Sequence, residues 1–341
     1  MQLTKESELP EKYEAVIKPW FDVDVQAGLR KLGDGVSIHY RYAHNVNAKS
    51  VIVVSSGRVE CAVKYAELIY DLFHNGHSVF IHDHRGQGLS SRTTENPHHG
   101  YIDGFSQYVS DFEHMIDDVL MPILNKNQQN LPLHLLCHSM GSTIGALLVL
   151  SRPQMFSKAV FCSPMFGITP PLPQWLATIL VYCGVTFNKL MKKQSAYFLG
   201  QGDYRPTAFH ENHLMSSEVR YRIFRKAYSQ QPELRLGGVT HEWLHASIVA
   251  MKKIREEAKT IQLPCQILYS GADTVVANKD IEKVIADISN CDSKCIPEAM
   301  HELFFEKDKF RVPALTQILT FFGAQSLSSP SVQKAKESFI P

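Results

Sequence analysis

Short apolar runs, longer amphipathic stretches and the turn residues between them give this chain its plan. Positions 36–42 alternate apolar and polar residues behind a Gly33-Asp34-Gly35 turn, which predicts a strand. Near-continuous apolar runs at 51–55, 78–82, 133–137 and 158–162 predict four more. Helical spacing falls between them, over 61–74, 105–124 and 142–152. Strand and helix alternate, so the expected class is α/β, a mostly parallel sheet of the eight-stranded type covered on both faces. Alternation then stops. No strand pattern is visible from 164 to 238, and regular structure resumes near Trp243, with two further strands at 265–270 and 293–296. The predicted organisation is a core, 1–163 and 239–325, interrupted by an inserted helical cap, 164–238. Residues 326–341, rich in Ser, Lys and Pro, are predicted to be a disordered tail.

Chemistry enters at Cys137-His138-Ser139-Met140-Gly141, which joins the apolar run Leu131–Leu136 to the helical run beginning at Ser142. Strand, tight turn, serine and helix is the order of a nucleophile elbow, although Cys137 stands where the usual first glycine would be. The same segment also reads as a helix with an N-cap serine, and alone it leaves both readings open. A serine nucleophile needs a histidine base held by a carboxylate, in the chain order Ser, acid, His. Asp273 leaves the strand at 265–270 through Gly271-Ala272, and His301 lies on the loop after the strand at 293–296. Among 16 histidines and 34 acids, these two satisfy both the order and the strand-end placement. His138 adjoins Ser139, but successive side chains of a tight turn diverge, which argues against it as the base.

Four segments carry a resemblance. Val51–Arg58 resembles a strand ending in a His-Gly-x loop, with Ser56 in place of His, and Asp83-His84-Arg85-Gly86-Gln87-Gly88-Leu89-Ser90 matches D-x-R-G-x-G-x-S. Gly271-Ala272-Asp273 and Ala299-Met300-His301-Glu302 resemble acid and histidine loops. In this order they resemble α/β-hydrolases of the monoglyceride-lipase and bacterial lysophospholipase branch, most of all the inner-membrane lysophospholipases, from about Gly33 to Gly323. The resemblance implies an oxyanion hole made by the backbone N–H groups of Arg58 and Met140. The resemblance also places the lid of the family after the sixth strand. Gly57 has a physical reason to be glycine, since it can take a positive φ and bring the backbone close to substrate.

Composition narrows the class. A net charge of +1 gives no electrostatic case for nucleic acid. Seven cysteines, several inside predicted strands, suggest reduced thiols and a cytoplasmic setting, with peripheral contact to the inner membrane as a further expectation. The first residues show no apolar signal region, so no signal peptide is expected. Within the cap, nine Lys or Arg face four acids, a net of +5 that leaves −4 for the remainder. A positive lid suits an anionic membrane face or a phosphate-bearing headgroup. Trp175–Phe187 is uncharged and, at 13 residues, too short for a bilayer that needs about 20. A buried cap helix is the expected outcome, with an acyl-tunnel wall dipping into a membrane interface as the alternative.

Two motifs compete for attention. His241-Glu242-Trp243-Leu244-His245 fits the zinc pattern H-E-x-x-H, but no third ligand has a distinctive context. Gly86-Gln87-Gly88 lacks the third glycine of a dinucleotide loop, since position 91 is Ser91. No cofactor and no metal are expected. The reading is a serine carboxylester hydrolase releasing fatty acid from single-chain acyl lipids, foremost a lysophospholipid, with Ser139, His301 and Asp273 as its triad. Monoacylglycerol lipase and acyltransferase activities share that machinery. A membrane-binding scaffold is the non-enzyme alternative, and fluorophosphonate labelling would separate the two classes. A free substrate amine, as in the proline-releasing aminopeptidases of the branch, would require an acidic pair, and none stands out.

Overall fold

Why several strands read as unbroken apolar runs is plain from their burial: every residue of Val51–Ser55 (β3), Ser78–His82 (β4), Leu133–His138 (β5) and Lys158–Cys162 (β6) is buried. A computed structural model describes residues 1–169, 172–191 and 195–323. With Gln26–Lys31 (β1), Ser37–Ala43 (β2), Cys265–Ser270 (β7) and Cys291–Ile296 (β8), these strands form one eight-stranded sheet in the order β1-β2-β4-β3-β5-β6-β7-β8. The β1–β2 and β2–β4 pairs are antiparallel and the rest parallel. Helices cover both faces, so alternate residues enter different layers: Val51 and Val53 join one core cluster, Ile52 and Val54 the other.

Two elements carried little strand or helix signal. β1 is exposed at nearly every position and polar in composition, so neither burial nor alternation marks it. It is held by its ladder to β2, where Gly28 lies flat against the Tyr40 ring; a Cβ there would come within 2.5 Å of it. The N-terminal helical stretch, 9–23, buries Leu9, Tyr13, Ile17 and Phe21. An interval of four overshoots an α turn of about 3.6 residues, and a wider π turn at Tyr13–Ile17 keeps all four on one side.

Between β6 and β7 the chain leaves the sheet. It forms the helices Gln174–Leu190 and Glu218–Gln230 and re-enters through His241–Glu257, whose N-cap Thr240 accepts a bond from the Trp243 N–H. Part of the positive charge expected on the cap surface is spent internally. Arg220 is buried, with Nε on both Glu67 oxygens at 3.2 and 3.0 Å and Nη2 on Asp308 at 3.0 Å, pinning the cap to the core. The helix at 174–190 also departs from expectation. Val181 and Val185 are buried, but Trp175, Ile179, Tyr182, Phe187 and Leu190 are exposed, so it is amphipathic with an apolar outer face and is not a buried cap helix. Lys192 and Lys193, counted in the cap charge, lie outside the described residues, as does the expected tail at 326–341.

Candidate active site

Ser139 follows β5 directly, at φ 50° and ψ −119°, and the helix Met140–Ser151 begins after it. Such a backbone is costly for a residue with a side chain, and it aims the hydroxyl away from the helix. The Ser139 side chain makes no capping bond; its Oγ lies 2.9 Å from His301 Nε2. That excludes the N-cap reading. Gly141 lies against the end of β3, where a Cβ would sit 2.1 Å from the Ser55 carbonyl oxygen. Cys137 in place of a glycine has its own explanation: its buried sulfur occupies the space that a Cβ on Gly145 would need, 2.4 Å away.

The loops after β7 and β8 bring the other two candidates in. Asp273 Oδ2 accepts from His301 Nδ1 at 2.7 Å, while Oδ1 accepts from the Val275 and Val276 N–H groups at 2.8 and 3.1 Å. Burial alone would raise the Asp273 pKa, but the His301 hydrogen bond and charge with these two donors outweigh it and hold it below the usual value. Ser139, His301 and Asp273 thus form one hydrogen-bonded chain. Ser139 and His301 line a pocket of about 410 Å³ between the strand ends and the cap.

Behind His301 lies a buried charged cluster that sequence reasoning missed. Lys64 Nζ donates to Glu60 at 2.8 Å and to Glu302 at 2.6 Å. Tyr65 and His138 both bind the second Glu60 oxygen, at 2.6 and 3.1 Å. The other ring nitrogen of His138 faces the His301 carbonyl oxygen at 3.2 Å, so this histidine braces the base from behind. Both its partners are acceptors, which calls for an imidazolium. Burial opposes that charge, yet the Glu60 carboxylate outweighs it and the His138 pKa is raised. Burial would likewise raise the Glu60 pKa, but Lys64 and His138 hold it well below the usual carboxylate range. Glu60 and Glu302 line the pocket. Both carboxylates are engaged by Lys64 and so are not free for a substrate amine. No spacing rule would have joined residues 60, 64, 138 and 302; only the fold does.

The loop carrying Arg58 differs from expectation in one respect. Gly57 does not have a positive φ; Val59 does, at 65°. Glycine is required at 57 for space, since a Cβ would lie 2.7 Å from Glu60 Oε2 and 3.0 Å from His138 Nδ1. With Ser56 where the resemblance expects histidine, support comes from Gln87, whose Nε2 donates to the Gly57 and Glu60 carbonyls at 2.8 and 2.9 Å. The segment 83–90 is thus a buttress. Asp83 accepts from the Ala62 and Leu89 N–H groups, and Arg85 forks onto Asp111. Gly141, in the first turn of the helix Met140–Ser151, packs against the Ser55 and Ser56 carbonyls just before this loop.

His241 and His245 do not gather ligands. Glu242 accepts from Asn188 at 2.8 Å and from Ser195, tying the returning helix to the cap, and His245 packs edge-on against Tyr182. No group of three or more His, Cys, Asp or Glu among the described residues could hold a metal ion.

Comparison with known proteins agrees with this architecture. Residues 46–308 match the family model described as "Serine aminopeptidase, S33". "Probable lysophospholipase L2" of Haemophilus influenzae is 30% identical over 316 residues, covering 92% of this chain and 96% of its own. "Lysophospholipase L2" of Escherichia coli K12 is 32% identical over 307 residues, covering 88% and 86%. Mouse "Monoglyceride lipase" is 34% identical over 140 residues, covering 40% of this chain and 42% of its own. A soluble variant of monoglyceride lipase from Saccharomyces cerevisiae superposes with a TM-score of 0.70 at 18% identity, covering 88% of this chain and 96% of that one. The family match over most of the chain and the near full-length relatives make the conclusion direct: this chain belongs to the serine hydrolases of the α/β-hydrolase superfamily, in the branch that holds lysophospholipase L2 and the monoglyceride lipases.

Proposed function

We propose that this chain hydrolyses the ester of single-chain acyl lipids, foremost lysophospholipids, with Ser139 as nucleophile, His301 as base and Asp273 as its carboxylate. The observation that carries this reading is the continuous chain of hydrogen bonds from Ser139 through His301 to Asp273, inside a pocket roofed by the cap. His301 Nε2 takes the Ser139 proton as Oγ adds to the ester carbonyl. The Arg58 and Met140 N–H groups receive the oxyanion, in a loop held by Gln87 and Glu60. His301 then protonates the departing glycerol oxygen and activates water to release the fatty acid, while Asp273 offsets the charge on the imidazolium. The matches to two lysophospholipases over 92% and 88% of this chain favour the lysophospholipid over the monoacylglycerol, since the monoglyceride lipases align over 40% to 72% of it.

The test is fatty-acid release from lysophosphatidylethanolamine and from monoacylglycerol of the same chain length. Preferential release from the lysophospholipid is expected. A preference for monoacylglycerol would reassign the chain to the second activity, and glycerolipid products carrying two acyl chains would make it an acyltransferase.

Among the described residues no helix is long and apolar enough to cross a membrane. We infer instead that the cap helix Gln174–Leu190 rests on the lipid surface with its apolar outer face, on which Trp175 and Leu190 are 66% and 77% exposed. Trp175→Glu combined with Ile179→Glu is expected to reduce co-sedimentation with anionic vesicles about tenfold or more. Undiminished sedimentation of the double variant would reject the inference.

A further inference from the structure

A second cavity, of about 800 Å³, opens in the cap beside the Ser139 pocket, and the two share Tyr204, Thr207, Tyr221 and Arg225 in their walls. Four bases but one acid, Glu218, line this cap cavity. Its cations are not equivalent. Arg222 is bound to Glu218 at 2.6 Å and Lys226 to Glu14 at 2.8 Å. Arg235 donates to the Tyr228 and Ser229 carbonyls at 2.7 and 2.9 Å. Arg225 has no carboxylate partner among the described residues, and its Nη2 is buried without a hydrogen bond. Its guanidinium is held between aromatic rings, 5.2 Å from the Tyr204 centroid, 5.7 Å from Tyr221 and 5.9 Å from Phe224.

The nearby acids do not answer that charge. Glu60 and Glu302 are neutralised by Lys64 and His138, Glu218 faces Arg222, and Glu211 at the pocket wall is exposed beside His210. A guanidinium pre-oriented by stacking at the wall of a reactive pocket, with no carboxylate partner and with Nη2 left unbonded, is suited to a tetrahedral oxyanion. We propose that Arg225 is the subsite for the phosphate of a single-chain phospholipid, with the group beyond the phosphate directed into the cap cavity. This rests on the substrate reading above, and it would make Arg225 the residue that separates a lysophospholipid from a monoacylglycerol with the same acyl ester.

The experiment compares wild type, Arg225→Met and Arg225→Lys on lauroyl lysophosphatidylethanolamine and monolauroylglycerol, below their critical micelle concentrations so that surface binding plays no part. Arg225→Met keeps an apolar stem for the aromatic cradle, and Arg225→Lys keeps the charge without the fork. The expected result is a fall of about ten- to a hundredfold in the ratio of kcat/KM for the lysophospholipid to that for the glyceride. The fall should lie mainly in KM, with partial recovery in Arg225→Lys. Glycerol 3-phosphate should inhibit glyceride hydrolysis by wild type and far less by Arg225→Met. An unchanged ratio in both folded variants would overturn the subsite and leave Arg225 a packing residue, with the substrate reading intact. Inhibition by inorganic phosphate equal to that by glycerol 3-phosphate, with no change in the lipid ratio, would overturn it in favour of a free-anion site. Wild type that cleaves the glyceride but not the lysophospholipid would instead reject the substrate reading, and the subsite with it. If Arg225→Met does not fold, as judged by its thermal transition, Arg225→Lys decides by the same ratio.

Discussion

Ser139→Ala is expected to lose about 10⁶-fold in turnover, as the loss of the nucleophile does in other serine hydrolases, with little change in Tm. The second half of that expectation is what separates catalysis from structure. A serine that capped the helix Met140–Ser151 would contribute about 1 kcal/mol through its side chain, and its loss would lower Tm while sparing activity. Here the side chain makes no capping bond, and its oxygen meets His301 Nε2 at 2.9 Å. Fluorophosphonate labelling and fatty-acid release, measured beside a thermal melt, would check both halves. A variant that keeps its activity but melts earlier would reject Ser139 as the nucleophile.

The second large effect is expected from Asp273→Asn, at about 10⁴-fold in kcat, by analogy with the same change in other triads. The reason lies in how the carboxylate is held. One oxygen accepts from the Val275 and Val276 N–H groups, so an amide at this position will keep its carbonyl oxygen on that side. Its NH₂ group must then face His301 Nδ1, which now has to accept. The ring proton moves to Nε2, the nitrogen that should take the proton of Ser139. Because the Asp273 pKa lies below the usual value, this group remains ionised in wild type throughout the neutral range, and the deficit in the variant should persist across it. Rates within tenfold of wild type at pH 7 to 9, normalised by active-site titration, would show that His301 does not depend on Asp273.

How much of this was legible beforehand depends on whether the signal was local. β3, β4 and β6 are bounded as their apolar runs predict, and β5 extends one residue beyond its run to His138. A parallel strand buried on both faces leaves its mark in every residue. β1 left none, because an exposed edge strand is stabilised by backbone pairing, which any composition can supply. The predicted helix over 61–74 begins later, at Ala66, since the residues before it serve the loop: the Ala62 N–H binds Asp83, and Cys61 contacts Tyr228. The continuous helical pattern over 105–124 is interrupted by a π turn at Ile116–Leu120, which the apolar spacing alone does not reveal.

The sequence by itself determined the parallel sheet and the order serine, acid, histidine, because each rests on apolar runs or on strand ends that topology must place together. Between the two readings of Ser139, the strained turn was decided by the structure. Tertiary structure alone decided what surrounds that chemistry. It turned His138 inward onto Glu60 and the His301 carbonyl, placed Lys64 between two carboxylates from distant segments, and left Arg225 uncompensated at the wall of the pocket. Those outcomes depend on long-range packing and on which charges meet in a medium of low polarity, where a buried ion needs a partner.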